Sequence, residues 1–300
     1  MDPTYTGLII RAQSGFFTVE TSAGAIVCQL RGKLKQGRAE GDLAAVGDRV
    51  SITLLDDGSG MIDSVEERTR TLVRLDPRPR GVYQQILLAN LDQALFVFAC
   101  ANPSPRLRML DRFLVAAEKQ KIPVVIVANK IDLVENPREI FGMYEPLGYR
   151  VIYASAKTGA GVEELRATLS KKISALAGPS GVGKSTLLNA LQPGLGLLVN
   201  EISAALNKGK HTTVSRQLLP LEGGGYVADT PGWKSLALWD TAPEEIDAYF
   251  PELRDLVQNC RYSNCAHIND QGCAVRAALE AGTIHPARYD SYLRLRAGQE

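Results

Sequence analysis

An excess of charge of either sign is what this 300-residue chain lacks most plainly. Its 34 Lys and Arg face 33 Asp and Glu, for a formal net charge of +1. That balance excludes a generally basic coat for nucleic acid, so contact with a polyanion must come from local patches. Long apolar runs are missing as well: the longest, Ala94–Ala101, falls far short of the roughly 20 residues a membrane-spanning helix needs. No membrane association is expected. Met1-Asp2-Pro3 leads into neither a basic segment nor an apolar stretch, so no secretory signal is expected and the cytoplasm is the expected compartment. Internal repeats and low-complexity tails are absent. Cysteine and histidine are scarce, at 5 and 3 residues, which gives weight to where they fall.

Three of those cysteines and one histidine crowd together as Cys260, Cys265, His267 and Cys273. A disulfide would leave one cysteine over, and a reducing cytosol disfavours it. The set matches a structural Cys3His zinc site with no open position for a catalytic water, so one zinc ion per chain is expected. Cys28 and Cys100 fall on apolar strand patterns and read as small buried hydrophobes.

The richest segment is Gly178-Pro179-Ser180-Gly181-Val182-Gly183-Lys184-Ser185, which with Thr186 matches G-x-x-x-x-G-K-[ST]. The run Ile173–Ala177 before it reads as a buried strand, and Ser185–Leu191 after it as a helix. Its glycines let backbone N–H groups turn inward around phosphates, and the helix N-terminus favours negative charge. Lys184 is expected to reach the outer phosphates and Ser185 to ligate Mg²⁺. Asn129-Lys130-Ile131-Asp132 follows the strand pattern Val124–Ala128. Its Asp132 suits the paired N1–H and amine donors of guanine, which adenine lacks. Ser155-Ala156-Lys157, after Val151–Ala154, suits the base carbonyl or is a plain strand-to-helix loop. Asp229-Thr-Pro-Gly232, after Gly225–Ala228, supplies a Mg²⁺-side carboxylate and an amide for the third phosphate. These are the parts of a GTPase, but the base reader precedes the phosphate loop. That order is a circular permutation of the usual one, and the helical pattern Gly161–Leu169 runs almost directly into strand Ile173–Ala177, as such a permutation requires.

Outside this α/β core, taken as residues 85–233, the chain changes character. Residues 1–73 read as all-β: Gly7–Ile10, Phe16–Glu20, Ala25–Leu30, Arg49–Leu54 and Gly60–Val65 are short strands between turn residues, a pattern that fits an oligonucleotide-binding (OB) barrel. Arg31, Lys33, Lys35 and Arg38 crowd the loop after the third strand, either as a contact for an RNA backbone or as a solvated loop. A linker at 74–84 carries Pro77-Arg-Pro-Arg-Gly81. Residues 234–300 read as helical around the cysteine cluster, with helices opening at Pro243 and Pro251 and continuing through Ala274–Ala281 and Pro286–Arg296. The expected protein is therefore multidomain: barrel, permuted GTPase core, helical zinc domain.

The combination resembles the ribosome small-subunit-dependent GTPases A, the RsgA or YjeQ family. The likeness covers nearly the whole chain and is strongest at Gln85–Gln93, Gly178–Thr186, Gly209-Lys-His-Thr-Thr213 and Cys260–Cys273. It implies a monomer that binds the small ribosomal subunit and its rRNA late in maturation, hydrolyses GTP to GDP there and leaves. It also implies that Thr212 or Thr213 is the Mg²⁺-side switch threonine. Ras-like GTPases that orient water with Gln place it directly after Asp-x-x-Gly; here Trp233 stands there, and an indole cannot accept the water's proton. His211 is the candidate for that role, with a spacer or RNA contact as the other reading. A protein of a different class also fits: an rRNA-binding checking or placeholder module with nucleotide as a structural ligand. A small-molecule kinase is a third reading, without an acceptor-substrate domain to support it.

Overall fold

The structure is a computed structural model that describes residues 3–32, 34, 42–75, 84–198, 216–229 and 241–299. Two compact units emerge: Met1–Leu95 with Gly161–Ala177 and Lys184–Leu236, and Phe96–Ala160 with Gly178–Gly183 and Ala237–Glu300.

The first unit opens with strands β1 (Thr4–Gln13), β2 (Phe16–Thr21), β3 (Gly24–Leu30), β4 (Arg49–Leu54) and β5 (Gly60–Val65). Their order is β1-β2-β3-β5-β4, and β1 pairs back onto β4 to close a five-stranded barrel. Alternation drives the closure. Ile9, Val19, Val50, Ile52 and Ile62 point inward at 0 % exposure, and burial of such side chains stabilises by about 1.5–3 kcal/mol each. Asp48, also buried, accepts from Arg68 through both oxygens at 2.8 Å and from the Ala45 amide at 2.7 Å, which fastens the loop before β4. A hairpin of β6 (Thr71–Leu75) and β7 (Gln84–Ala89) follows. The linker expected at 74–84 thus begins and ends inside strands, and residues 76–83 lie outside the described ones.

The same unit contains β8 (Gln93–Ala99) at its start, β11 (Ile173–Ala177), β13 (Leu219–Pro220) and β14 (Tyr226–Asp229), in the order β8-β11-β14-β13. β11 and β14 are parallel, and β13 is antiparallel to β14. Helices α3 (Val162–Leu169) and α4 (Lys184–Leu191) flank β11 in sequence. Buried Gln93 locks this arrangement. Its Nε2 donates to the Thr168 carbonyl at 2.8 Å and to Ser174 Oγ at 3.0 Å, while its Oε1 accepts from Lys172 at 3.2 Å. Helix α3 and strand β11, the last and first elements of an unpermuted core, are thereby held side by side. Strand β12 (Arg216–Gln217) leaves the core to pair with β1 at Arg11↔Gln217 and Ala12↔Arg216.

The second unit continues β8 and adds the parallel strands β9 (Val124–Asn129) and β10 (Arg150–Ala154), in the order β10-β9-β8. Helix α1 (Leu107–Lys119) buries Leu110, Phe113, Leu114 and Ala117 along one face, as its 3.6-residue spacing predicts. A short helix α2 (Arg138–Phe141) runs into a 3₁₀ turn at Gly142–Leu147, which sequence reasoning did not assign. The C-terminal part has a 3₁₀ helix at Pro243–Tyr249, then α5 (Pro251–Arg254), α6 (Ala274–Glu280) and α7 (Pro286–Arg296). Phe250, Leu253, Ile284 and Tyr292 pack there with Val115 of α1. Beneath them Arg288, 1 % exposed, donates to Asp111 at 2.6 Å and to both oxygens of Glu252 at 2.6 and 3.2 Å, with its guanidinium over the Phe250 ring.

Candidate nucleotide-binding site and metal centre

The residues expected to read the base sit at the end of β9 in the second unit. Its apolar run buries Val125–Ala128 and brings Asn129 to the strand's end at 1 % exposure. Asn129 Nδ2 donates to the Val182 carbonyl at 2.8 Å, which fastens this motif to the phosphate loop. Its Oδ1 is buried with no hydrogen-bond partner among the described residues. An unmet buried acceptor costs about 1–3 kcal/mol, so Oδ1 is left available to a further donor. Lys130 adopts φ of 63°, in the left-handed region. Its Nζ donates to the Gly181 carbonyl at 2.7 Å and to the Asn102 carbonyl, binding the β8–α1 loop to the phosphate loop. Ile131 and the exposed Asp132 open a 3₁₀ turn over Ile131–Leu133.

Ser155, wholly buried, donates through Oγ to Asp132 Oδ1 at 2.6 Å and accepts from the Thr158 amide at 3.2 Å. A carboxylate has about four acceptor positions, so this bond fixes the side chain without exhausting it. Half-buried Ala156 and exposed Lys157 follow in the same turn. Ser155 was expected either to help meet the base carbonyl through backbone N–H or to belong to a plain loop; its hydroxyl is bonded to Asp132.

Packing explains two glycines of the phosphate loop. A Cβ on Gly178 would lie 2.1 Å from the Val97 carbonyl oxygen. One on Gly183, whose φ is +94°, would lie 2.5 Å from Asn129 Nδ2. Pro179 and Val182 are buried, while Ser180 and Gly181 are exposed. Lys184 and Ser185 are half-buried at the start of α4, with Thr186 exposed beside them. Asp229 ends β14 in register with Leu176, and its side chain is outside the described set. So are His211, Thr212, Thr213, Gly232 and Trp233.

In the C-terminal part the four metal candidates converge. One donor atom each from Cys260, Cys265, His267 and Cys273 lies within 4.8 Å of the others. A zinc tetrahedron with Zn–S of about 2.3 Å has edges near 3.8 Å, so the spacing fits. His267 is buried and takes φ of 61°. Its Nδ1 faces the sulfurs of Cys273 at 3.4 Å and Cys260 at 3.6 Å, and its Nε2 is held by Asp247 at 3.1 Å. A carboxylate on the far nitrogen of a ligating imidazole fixes the ring and raises its basicity. Asp247 was not singled out from sequence, since it lies twenty residues away (|i−j| = 20) on another element. Burial pushes the Cys265 thiol up to about 12, a cost that a cation offsets by taking the thiolate as ligand.

The proposed RNA loop fares less simply. Arg31 is ion-paired with Asp63 at 2.6 Å, whereas Lys33, Lys35 and Arg38 lie outside the described residues.

Comparison with known proteins settles the lineage. The RsgA N-terminal domain model matches residues 6–62 and the RsgA GTPase model residues 65–239. The chain belongs to the RsgA GTPase family. A small ribosomal subunit biogenesis GTPase RsgA of Gemmatimonas aurantiaca is 45 % identical over 99 % of this chain and 98 % of its own length. Another from Moorella thermoacetica is 42 % identical over 96 % and 94 %. Among solved structures, YjeQ from Thermotoga maritima aligns at TM-score 0.80 with 38 % identity, covering 99 % of this chain and 98 % of its own. YloQ, described as a circularly permuted GTPase, aligns at TM-score 0.75 with 30 % identity over 99 % and 95 %. RsgA membership thus accounts for the barrel and for the permuted order of the core. No helix among the described residues is long and apolar enough to cross a membrane.

Proposed function

We propose that this chain hydrolyses GTP in the service of small ribosomal subunit biogenesis, the role its relatives' names carry. Within the site, the observation that supports the reading best is the fastening of Asn129 and Lys130 to Val182 and Gly181. It joins a base reader to a phosphate cradle. Asp132, oriented by Ser155, selects guanine by accepting from its N1–H and amine. Lys184 reaches the outer phosphates. Ser185, Asp229 and either Thr212 or Thr213 are the residues for Mg²⁺, which when bound neutralises charge developing on the phosphates. Cys260, Cys265, His267 and Cys273 hold a structural zinc ion, with Asp247 behind the imidazole. His211 orients the attacking water, a role that Trp233 cannot fill. The chain acts as a cytoplasmic monomer on rRNA of the subunit and departs after hydrolysis.

The test is GTP turnover with and without purified small ribosomal subunits. Turnover at least tenfold faster with subunits is expected, and equal rates overturn the proposal. His211→Ala is expected to keep GTP affinity and subunit binding but lose most of the stimulation. If stimulation survives, another group orders the water.

A further inference from the structure

Inside the first unit, one hairpin of the permuted core is held to the barrel by both of its arms. On the way in, β12 pairs with β1 at Arg216 and Gln217, and the Leu218 amide donates to the Ile10 carbonyl at 2.8 Å. The chain then turns over Leu221–Gly225, where the Gly224 amide donates to the Leu221 carbonyl at 2.9 Å and the Leu221 amide to the Gly225 carbonyl at 3.0 Å. It returns as β14, whose first residue, Tyr226, donates through its hydroxyl to Glu20 Oε2 on β2. Both of those side chains are half-buried. Backbone holds the first arm to the barrel, and a side chain holds the second.

The ends of this hairpin lead to residues with assigned chemistry. Thr212 and Thr213 lie just before β12, and Asp229 is the last residue of β14. Tyr226 and Asp229 open and close one strand, a span of about 10 Å. That strand has four residues, and its outer neighbour β13 has two. Pairing with β11, and the Tyr226 amide on the Lys172 carbonyl at 2.8 Å, fix β14 within the plane of the sheet. Side chains stand roughly perpendicular to that plane, so the bond to Glu20 restrains the strand in the remaining direction. A phenol donating to a carboxylate is among the stronger hydrogen bonds. Burial, with Glu20 beside it, pushes the Tyr226 hydroxyl up to about 12, so the donor keeps its proton at neutral pH.

We infer that Tyr226 and Glu20 are positioning residues for the GTPase reaction: their hydrogen bond holds the strand that ends in Asp229 where that carboxylate serves Mg²⁺. Neither acts on the nucleotide itself, and each acts through Asp229. The barrel is then a working part of the hydrolytic site as well as a separate fold. The inference rests on the proposed assignment of Asp229 to Mg²⁺ and is independent of what the barrel binds.

The experiment uses the full chain loaded with a fluorescently labelled, non-hydrolysable GTP analogue, whose release is timed as Mg²⁺ is raised. GTP turnover with and without small subunits is measured in parallel. Tyr226→Phe removes only the hydroxyl. It is expected to raise the Mg²⁺ concentration that gives half of the full slowing by roughly three- to tenfold, with release in chelator unchanged. Glu20→Ala is expected to show the same displacement, and the double variant no more than either alone, because the two share one bond. Glu20→Gln keeps an acceptor and is expected to restore most of the unmodified behaviour. A bond that only stabilised the fold would leave the Mg²⁺ midpoint in place, so equal midpoints in Tyr226→Phe and the unmodified chain overturn the inference. So does a displacement that Glu20→Ala does not share, because the hydroxyl then acts through another group. Release from the unmodified chain that ignores Mg²⁺ removes the role of Asp229 and the inference with it. Should subunits fail to stimulate the unmodified chain while Tyr226→Phe and Glu20→Ala still displace the midpoint together, the biogenesis reading falls and the positioning pair stands.

Discussion

Asp132, the proposed guanine reader, has a partner that its own motif does not reveal. Its carboxylate is exposed, and the Ser155 hydroxyl fixes one of its oxygens. Asp132→Asn is expected to weaken GTP at least tenfold and to admit XTP, whose 2-oxo group accepts from the new amide. Binding constants for GTP, XTP and ATP check this, and equal GTP and ATP affinity in the unmodified chain refutes it. Gly183 is constrained twice, by its φ and by Asn129 Nδ2 at 2.5 Å from a would-be Cβ. Gly183→Ala is therefore expected to abolish nucleotide binding while far-ultraviolet circular dichroism stays unchanged. Both residues could be singled out in sequence because their motifs are contiguous. The Asn102 carbonyl that helps hold Lys130 was not, since a backbone acceptor brought in from 28 positions away (|i−j| = 28) leaves no mark in composition.

Elements differ in the same way. β4, β5, β11 and α7 were readable to the residue because alternation, an apolar run or a proline start marks each locally. The β6–β7 hairpin and β12 were not, because short strands are decided by partners far along the chain. How helix α7 docks was hidden too: nothing in Pro286–Arg296 says that Arg288 is the arginine that goes inside. Arg288→Ala leaves Asp111 and Glu252 buried without their cation, and a loss of about 3–5 kcal/mol is expected in denaturant unfolding. Arg254→Ala is the contrast. Its pair with Glu118 spans 3.6 Å at half exposure, and at most about 1 kcal/mol is expected there. For the cysteine cluster, metal analysis should find one zinc per chain. Cys265→Ala or chelation should unfold the C-terminal elements with nucleotide binding still measurable. Asp247→Ala should weaken zinc roughly 10- to 100-fold. A folded cluster free of metal contradicts all three.

At the scale of the whole molecule, the permuted order of motifs was plain from sequence, because motif order is a property of the string itself. What the string hid is how the permuted core and the barrel are stitched, since that depends on pairings such as Gln217 with Arg11. If nucleotide state governs residence on the subunit, affinity should be higher with a non-hydrolysable GTP analogue than with GDP and should fall steeply with salt. Filter binding at several ionic strengths measures both, and equal affinity in the two states removes the switch.

Strand β1 divides one edge between two partners: Thr4–Leu8 pair with β4, and Arg11–Ala12 pair with β12. The second partner is translated some two hundred residues later, at Arg216–Gln217. A nascent chain can therefore close its barrel early, yet the upper rim of its first strand stays bare until most of the protein has left the exit tunnel. The same division warns against cutting the protein at the barrel's end. Without β1, β12 becomes a naked strand edge and the Leu218 amide loses its acceptor, the Ile10 carbonyl at 2.8 Å, a combination that invites edge-to-edge aggregation.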